Sequence, residues 1–264
     1  MSRLGETFAA TRAEDRAALV GYLPAGFPTI TEAVAVIATM IENGVDIVEV
    51  GLPHSDPLMD GPVIQSAVDT ALAGGTRIHD VMACVRATAA SGAPALVMSY
   101  WNPIERYGVE RFADELARAG GVGTITPDLT PEEAEPWIAA TESAGLDRVF
   151  LVAPSSTDAR IRTVAHATTG FVYAASTMGV TGVRSSVSGA AEHLVERVRA
   201  ATTLPVCVGL GVSGGAQAAE VAGYADGVIV GSAFVRAVQS AASPAAAREA
   251  VGRLSRDLAA GVRG

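Results

Sequence analysis

The chain has 264 residues, of which 49% are hydrophobic and 18% are charged, and this is enough apolar material for one large core. That composition excludes a disordered or fibrous protein. The net charge of −9 and the lack of any basic run in the sequence argue against nucleic acid and anionic membranes as binding partners.

The residue types exclude further kinds of chemistry. All 19 basic residues are arginine, so no lysine is available for a Schiff base or for holding pyridoxal phosphate covalently. The histidines lack metal-binding spacing, and we expect no metal site.

The N-terminal sequence has no apolar run, and no stretch approaches about 18 uncharged apolar residues, so we expect neither a signal peptide nor a membrane span. Two isolated cysteines, Cys84 and Cys207, are typical of buried thiols in a reducing cytoplasm.

Short apolar runs rich in β-branched residues recur along the chain and predict eight strands. They cover residues 18–22, 46–50, 95–100, 122–126, 148–152, 171–174, 206–208 and 227–230. The runs are continuously apolar rather than alternating, which indicates a sheet covered by helices on both faces. Parallel pairing with helical crossovers follows.

Segments with helical spacing separate the predicted strands. The first carries Ile30, Val34, Ile37 and Ile41 at intervals of three or four residues. Another follows the sequence Thr130-Pro131-Glu132-Glu133, which predicts a helix capped by Thr130. The long connection after the second strand is predicted to hold one extra helix over residues 62–72, ahead of its crossover helix.

Eight such repeats can close into a barrel or lie open as a doubly wound sheet. An open dinucleotide-binding sheet has a GxGxxG turn after its first strand, whereas this strand leads into Pro24-Ala25-Gly26-Phe27-Pro28. The glycine-rich turns come instead after strands seven and eight, which favours the barrel. We therefore predict an α/β fold, a single (β/α)₈ TIM barrel over residues 1–264 with an extra short helix in the loop after strand 2.

Two carboxylates stand near the end of the second predicted strand. Alternation with Ile47 directs Glu49 into the barrel, where burial would raise its pKa into the range of a general acid or base. An ion pair with an arginine is the alternative interpretation of Glu49. Asp60 precedes a helix that starts with proline, so its alternative is a capping role. His54 and Asp56, in the same loop, are equally consistent with a solvated histidine and a turn residue.

The glycine-rich turns predict an anion site. Gly209-Leu210-Gly211-Val212-Ser213 follows strand seven and Gly231-Ser232 follows strand eight. Glycines allow close approach of backbone N–H groups, and helices starting at Ser213 and Ser232 would add their dipoles, so a phosphate ligand is expected. The turn over residues 179–182 is a further candidate. Aromatic residues Tyr100, Trp101 and Tyr173 either line the mouth or pack in the core.

Several longer motifs occur together along nearly the whole chain. They are Tyr22-Leu23-Pro24-Ala25-Gly26-Phe27-Pro28, Val48-Glu49-Val50-Gly51-Leu52-Pro53, Ser55-Asp56-Pro57-Leu58-Met59-Asp60-Gly61-Pro62-Val63-Ile64-Gln65, Tyr100-Trp101-Asn102-Pro103-Ile104, Pro127-Asp128-Leu129, Gly179-Val180-Thr181-Gly182, Gly209-Leu210-Gly211-Val212-Ser213 and Gly231-Ser232-Ala233. With these motifs the sequence resembles the tryptophan synthase alpha chain family. The segment from Glu49 to Gln65 is highly specific to that family.

The resemblance implies a TIM-barrel lyase that cleaves indole-3-glycerol phosphate to indole and glyceraldehyde 3-phosphate in tryptophan biosynthesis. It implies a cytoplasmic α₂β₂ heterotetramer in which the beta chain carries pyridoxal phosphate and this chain carries no cofactor. It implies catalytic roles for Glu49, as acid and base, and for Asp60, as acceptor of the indole N–H hydrogen bond. The implied substrate-binding residues are Tyr22, Tyr100, Tyr173, Thr181, Gly182, Gly211, Gly231 and Ser232. It also implies that the Asp60 loop touches the beta chain.

Four positions depart from the commoner family pattern, and two other functions remain open. The departures are Pro24, Phe27, His54 and Leu210.

The first alternative function is a catalytically silent, phosphate-binding scaffold subunit, although the presence of both carboxylates argues against it. The second is another phosphosugar barrel, an isomerase or synthase, which would not require the segment from Glu49 to Gln65.

Overall fold

The computed structural model describes residues 2–175, 189–209 and 211–264. Within these ranges the chain forms nine parallel strands, most of which lie close to the predicted runs. The strands are β1 (Ala18–Pro24), β2 (Ile47–Gly51), β3 (Ala95–Met98), β4 (Gly123–Ile125), β5 (Asp147–Val149), β6 (Leu151–Val152), β7 (Val172–Ala175), β8 (Val206–Gly209) and β9 (Gly227–Val230).

The strands form one sheet in the order β5-β4-β3-β2-β1-β9-β8-β7-β6. Only Phe150 separates β5 from β6, which together replace the predicted fifth strand. Val149 pairs with Ile125 of β4 on one side, and Leu151 pairs with Tyr173 of β7 on the other. A single extended segment thus joins both edges of the sheet and closes it into a barrel. The predicted TIM barrel is confirmed.

Helices surround the strands in the described residues. They are α1 (Arg3–Ala13), α2 (Ile30–Glu42), α3 (Pro62–Ala73), α4 (Ile78–Ala90), α5 (Trp101–Tyr107), α6 (Val109–Arg118), α7 (Glu135–Ala144), α8 (Asp158–Ala167), α9 (Gly189–Arg199), α10 (Gly215–Ala222), α11 (Ser232–Gln239) and α12 (Pro244–Gly261). The extra helix after the second strand is confirmed as α3. In the described part of the chain, no helix has the length and apolar character needed to cross a membrane.

Side chains fill both faces of the barrel wall. Val20, Ile47 and Leu96 pack inside the barrel, whereas alternate residues such as Leu19 and Val48 pack against the helices. This two-sided burial explains the continuously apolar strands. The apolar face of α1 closes the N-terminal end of the barrel, which leaves the carboxyl ends of the strands as its open mouth.

One local prediction about helix capping is wrong. Thr130 does not cap α7, which begins at Glu135. The Thr130 hydroxyl instead bonds the Glu133 carboxylate at 3.1 Å, and the backbone forms a turn in which the Glu133 N–H donates to the Thr130 carbonyl. The first segment with helical spacing is confirmed as α2, whose buried face consists of Ala33, Val36, Ile37 and Met40, so that Val34 is only partly buried.

Candidate active site

Glu49 lies inside the barrel near the carboxyl end of β2. Its neighbour two residues back, Ile47, belongs to the interior core, so the predicted inward orientation is correct. The side chain is 1% exposed and its Oε1 atom has no hydrogen-bond partner in the described residues. Burial raises the pKa of Glu49 to about 8. A buried carboxyl without a stabilising partner holds its proton at neutral pH and is able to donate it.

Asp60 belongs to the loop between β2 and α3. Burial raises the pKa of its carboxyl to about 6, so the group is largely ionised at pH 7. The N-cap of α3 is Gly61, not Asp60, and this cap makes no side-chain hydrogen bond. The capping interpretation of Asp60 therefore does not fit the geometry. Gln65 holds this end of the loop by donating from Nε2 to the Asp60 carbonyl at 2.8 Å.

Two tyrosines frame the mouth in the same way. Tyr22 of β1 is opposite Glu49 in the register of β1 and β2, and its hydroxyl lies next to Gly51 of β2. Tyr173 of β7 is opposite Cys207 in the register of β7 and β8, and its hydroxyl lies next to Gly209 of β8. A Cβ atom at either glycine would overlap the tyrosine. Glycine at these two strand ends gives each ring the space to stand at the mouth.

The charges of both carboxylates raise the pKa of these two tyrosine hydroxyls. The pKa of Tyr22 is raised well above its usual value, first by burial and then by the charges of Asp60 and Glu49. The pKa of Tyr173 is raised in the same way by burial and then by Glu49, Cys207 and Asp60. Glu49 of β2 and the loop residue Asp60 are therefore both near the two tyrosine side chains.

Tyr100 lies beside this site at the end of the third strand. Its hydroxyl accepts the backbone N–H of Met59 at 2.9 Å, and its ring lies 5.2 Å from the ring of His54 at an angle of 38°. Trp101 packs against Trp137 instead, at 5.9 Å between ring centroids. Of the two aromatic residues that follow β3, Tyr100 faces the Asp60 loop and Trp101 joins the core.

The sequence patterns assigned no role to Asp128, although it lies three residues after β4 within the Pro127-Asp128-Leu129 motif. Its carboxylate accepts the backbone N–H of Trp101 at 2.9 and 3.1 Å. Burial raises the pKa of Asp128, while that hydrogen bond and the charge of His54 act in the opposite direction. Its position at a strand end was the available signal.

The predicted phosphate cradle is only partly as expected. Ser232 is the first residue of α11, and Gly231 is its N-cap, next to the ring of Tyr22. Gly211 has a φ of +67°, a conformation that favours glycine. The predicted helix start at Ser213 is wrong, because α10 begins at Gly215.

The backbone amides at that helix start already have partners. The N–H of Ser213 donates to Gln217 Oε1 at 2.8 Å, and the N–H of Gly215 donates to Asp257 Oδ2 at 2.7 Å. The start of α11 is therefore the helix terminus suited to an anion here. The candidates Thr181 and Gly182, the rest of the 179–182 turn, and Leu210 lie outside the described residues.

The described residues contain no group of three or more histidine, cysteine or acidic side chains able to hold a metal ion. Glu49, Asp60 and the tyrosines are instead the groups at the barrel mouth that can exchange protons or hydrogen-bond a ligand. The arrangement suits proton transfer to an apolar ligand with a hydrogen-bonding ring, next to an anion site.

Comparison with known proteins gives one consistent family. The family model described as "Tryptophan synthase alpha chain" matches residues 8–262. The chain is 60% identical to the tryptophan synthase alpha chain of Thermobifida fusca, over 100% of this chain and 98% of that one. It is 61% identical to that of Streptomyces avermitilis, over 99% and 95% of the two chains.

Solved structures agree with the sequence relatives. A chain of Mycobacterium tuberculosis tryptophan synthase superimposes with a TM-score of 0.94 at 55% identity, covering 100% of this chain and 99% of that chain. Tryptophan synthase subunit alpha from Legionella pneumophila superimposes with a TM-score of 0.90 at 31% identity, covering 99% and 98%.

Proposed function

The chain belongs to the tryptophan synthase alpha chain family, and we propose that Glu49 and Asp60 are the residues that perform its chemistry. The chain is a carbon–carbon lyase that cleaves indole-3-glycerol phosphate to indole and glyceraldehyde 3-phosphate, the alpha reaction of tryptophan biosynthesis. The scaffold and isomerase alternatives are not favoured.

The reaction breaks the bond between indole C3 and the glyceryl carbon that carries a hydroxyl. Protonation of C3 places positive charge on the ring nitrogen and creates the electron sink. Loss of the hydroxyl proton forms the aldehyde, the carbon–carbon bond breaks, and its electron pair returns to the indole ring. The sequence offers no lysine to form a Schiff base, so the sink is made in the substrate itself.

Glu49 carries both proton transfers in this proposal. With a pKa of about 8 it starts protonated at neutral pH and donates to C3. The resulting carboxylate then accepts the proton of the glyceryl hydroxyl, which restores the starting state. The observation that carries the assignment is a carboxyl that is 1% exposed and has an unpartnered oxygen, among the described residues, at the barrel mouth.

Asp60 stabilises the charge that develops on the ring nitrogen. Its carboxylate accepts the indole N–H hydrogen bond, and an ionised group in a half-buried site does this more strongly than one in water. Tyr22, Tyr100 and Tyr173 form the walls against which the flat ring packs. These roles account for aromatic side chains on three different strand ends around two acids.

The phosphate of the substrate binds next to Tyr22 in this proposal. The backbone N–H groups of Gly231 and Ser232, at the start of α11, together with Gly211, hold the anion. Thr181 and Gly182, which lie outside the described residues, are proposed for the same phosphate on the resemblance to the family alone. A Cβ atom added at Gly231 would meet the ring of Tyr22, and this proximity supports phosphate and indole pockets that lie side by side.

We further propose that the partner is the tryptophan synthase beta chain, in a cytoplasmic α₂β₂ complex whose pyridoxal phosphate is held by the beta chain. The M. tuberculosis structures are named as tryptophan synthase, which supports a complex of this kind. Leu58, on the Asp60 loop, is 83% exposed, which suits a residue that a partner covers. We also propose that residues 1–264 are one domain, since a single outer core cluster contains residues from Ala17 to Val262.

One assay tests the proposed function. The purified chain is incubated with indole-3-glycerol phosphate, with and without a tryptophan synthase beta chain, and released indole is measured. Indole release by the chain alone, increased by the beta chain, is expected. A folded chain that binds the substrate without releasing indole would contradict the proposal.

A further inference from the structure

We propose that Tyr100 and His54 together form an anchor that holds the loop over residues 52–61 and so positions Asp60. This inference rests on the proposed role of Asp60. In it, Tyr100 acts through the loop as a positioning residue, in addition to any contact with substrate.

Tyr100 itself is firmly fixed to the barrel. It lies two residues after β3, is the N-cap of α5 and is 7% exposed. The next residue, Trp101, is held through its N–H by Asp128 and through its ring by Trp137. A side chain fixed in this way is a rigid support for a neighbouring loop.

The hydroxyl of Tyr100 holds the loop next to Asp60. It accepts the N–H of Met59 at 2.9 Å, across 41 residues of sequence. Burial raises the pKa of Tyr100 to about 12, so the hydroxyl remains neutral over the working range of the protein. Gln65 holds the Asp60 carbonyl from the other side, so Asp60 stands between two backbone attachments.

The ring of Tyr100 makes a second contact with the loop, to the ring of His54. The two rings are 5.2 Å apart in a tilted arrangement, a spacing at which aromatic pairs attract each other. Asp128 lies within electrostatic range of His54. Between His54 and Met59 the loop also has internal contacts. One is the hydrogen bond from the Ser55 hydroxyl to the Asp56 carboxylate at 2.6 Å.

The anchor affects one part of the site and not the other. Asp60 is needed in the transition state and lies in the loop after β2, whereas the proposed phosphate anchor at Gly231 and Ser232 follows β9, on the other side of β1. Loosening the loop therefore lowers kcat and leaves the affinity for glycerol phosphate unchanged. A residue that merely supported the fold would not separate these two quantities.

The test measures amide hydrogen exchange of Met59 by NMR, together with indole release. Tyr100→Phe removes the acceptor but keeps the ring, and we expect Met59 exchange to rise and kcat to fall, each by about tenfold. His54→Ala removes the ring contact, and we expect changes of about threefold to fivefold. His54→Phe restores an aromatic face and returns both quantities to near the parent values.

Two matched variants serve as controls. Tyr107→Phe removes a hydroxyl that bonds Glu115 at 2.6 Å, and His193→Ala removes an exposed histidine of α9. Both are expected to leave Met59 exchange and kcat at the parent values. Glycerol phosphate binding, measured by calorimetry, confirms that each variant is folded.

The proposal is overturned if Met59 exchange in Tyr100→Phe equals that of the parent, or if Met59 exchange is as fast in His54→Phe as in His54→Ala. Neither result depends on the role of Asp60, because exchange is measured without substrate. Faster exchange in Tyr100→Phe with unchanged kcat would leave the anchor in place and contradict the proposed function of Asp60 instead.

Discussion

The hydroxyl of Tyr22 lies against Gly51, at a distance that leaves no room for a side chain on the glycine. A Cβ atom at Gly51 would lie 2.5 Å from that oxygen. Gly51 is two residues beyond Glu49 on β2, and Tyr22 is paired with Glu49 across the strands. The strand-end glycine thus keeps the tyrosine ring beside the buried acid.

Replacing this glycine is expected to disturb the site. Gly51→Ala forces the Tyr22 ring to move or the strand end to shift, at a cost of about 1 to 3 kcal/mol, and lowers kcat/KM for indole release. Gly189→Ala is the control, because a Cβ atom added at Gly189 would meet no described atom within 4 Å. Equal kcat/KM for Gly51→Ala and the parent, measured alongside urea unfolding, would show that the contact has no functional role.

The pKa values of the two acids predict a bell-shaped dependence of activity on pH. In the proposed mechanism Glu49 must be protonated to donate to C3, so activity is expected to fall as pH rises through about 8. Asp60 must be ionised, so activity falls as pH drops through about 6. Steady-state kcat/KM over pH 5 to about 9.5 measures both limbs. A flat profile across this range would contradict the assignment of these two groups.

Asp60→Asn is expected to reduce cleavage at least about 100-fold, because a neutral amide cannot offset positive charge on the indole nitrogen. The fold should be unaffected, since the N-cap of α3 is Gly61 and not Asp60. Asp69→Asn, an exposed position on α3, is the matched control. Indole release by the Asp60 variant at the control rate would require a different residue at the ring nitrogen.

The phosphate site gives a separate prediction at Gly211. Gly211→Asp places a side chain and a negative charge where the phosphate is expected, so KM should rise far more than kcat falls. Gly75→Asp is the matched control, because both glycines have positive φ and the space around Gly75 is open. The affinity of both variants for glycerol phosphate, measured by calorimetry, tests this prediction. A Gly211 variant that binds this ligand as tightly as the control does would place the phosphate elsewhere.

Much of the fold and the acid pair could be predicted from sequence because the signals are local. Parallel barrel strands are buried on both faces, so their runs are continuously apolar. The inward orientation of Glu49 follows from alternation with Ile47, and the helix after Asp60 follows from Pro62. Each of these inferences uses residues within a few positions of one another.

The remaining features depend on contacts between distant residues. The helix start at Gly215, rather than Ser213, is set by Asp257, which is 42 residues away. The bond between Met59 and Tyr100 spans 41 residues, and the side chain of Asp128 is placed by Trp101. No local pattern encodes these partners, because the barrel closure brings them together.

Glu49→Gln tests whether Glu49 transfers the protons. This variant keeps the volume of the side chain but cannot exchange a proton, and Glu135→Gln on exposed surface is its control. Indole release from indole-3-glycerol phosphate is measured on both, with the fold checked by circular dichroism and by glycerol phosphate binding. We predict a loss of at least about 100-fold in kcat for Glu49→Gln and none for the control. Turnover by folded Glu49→Gln at the rate of the control would contradict the account.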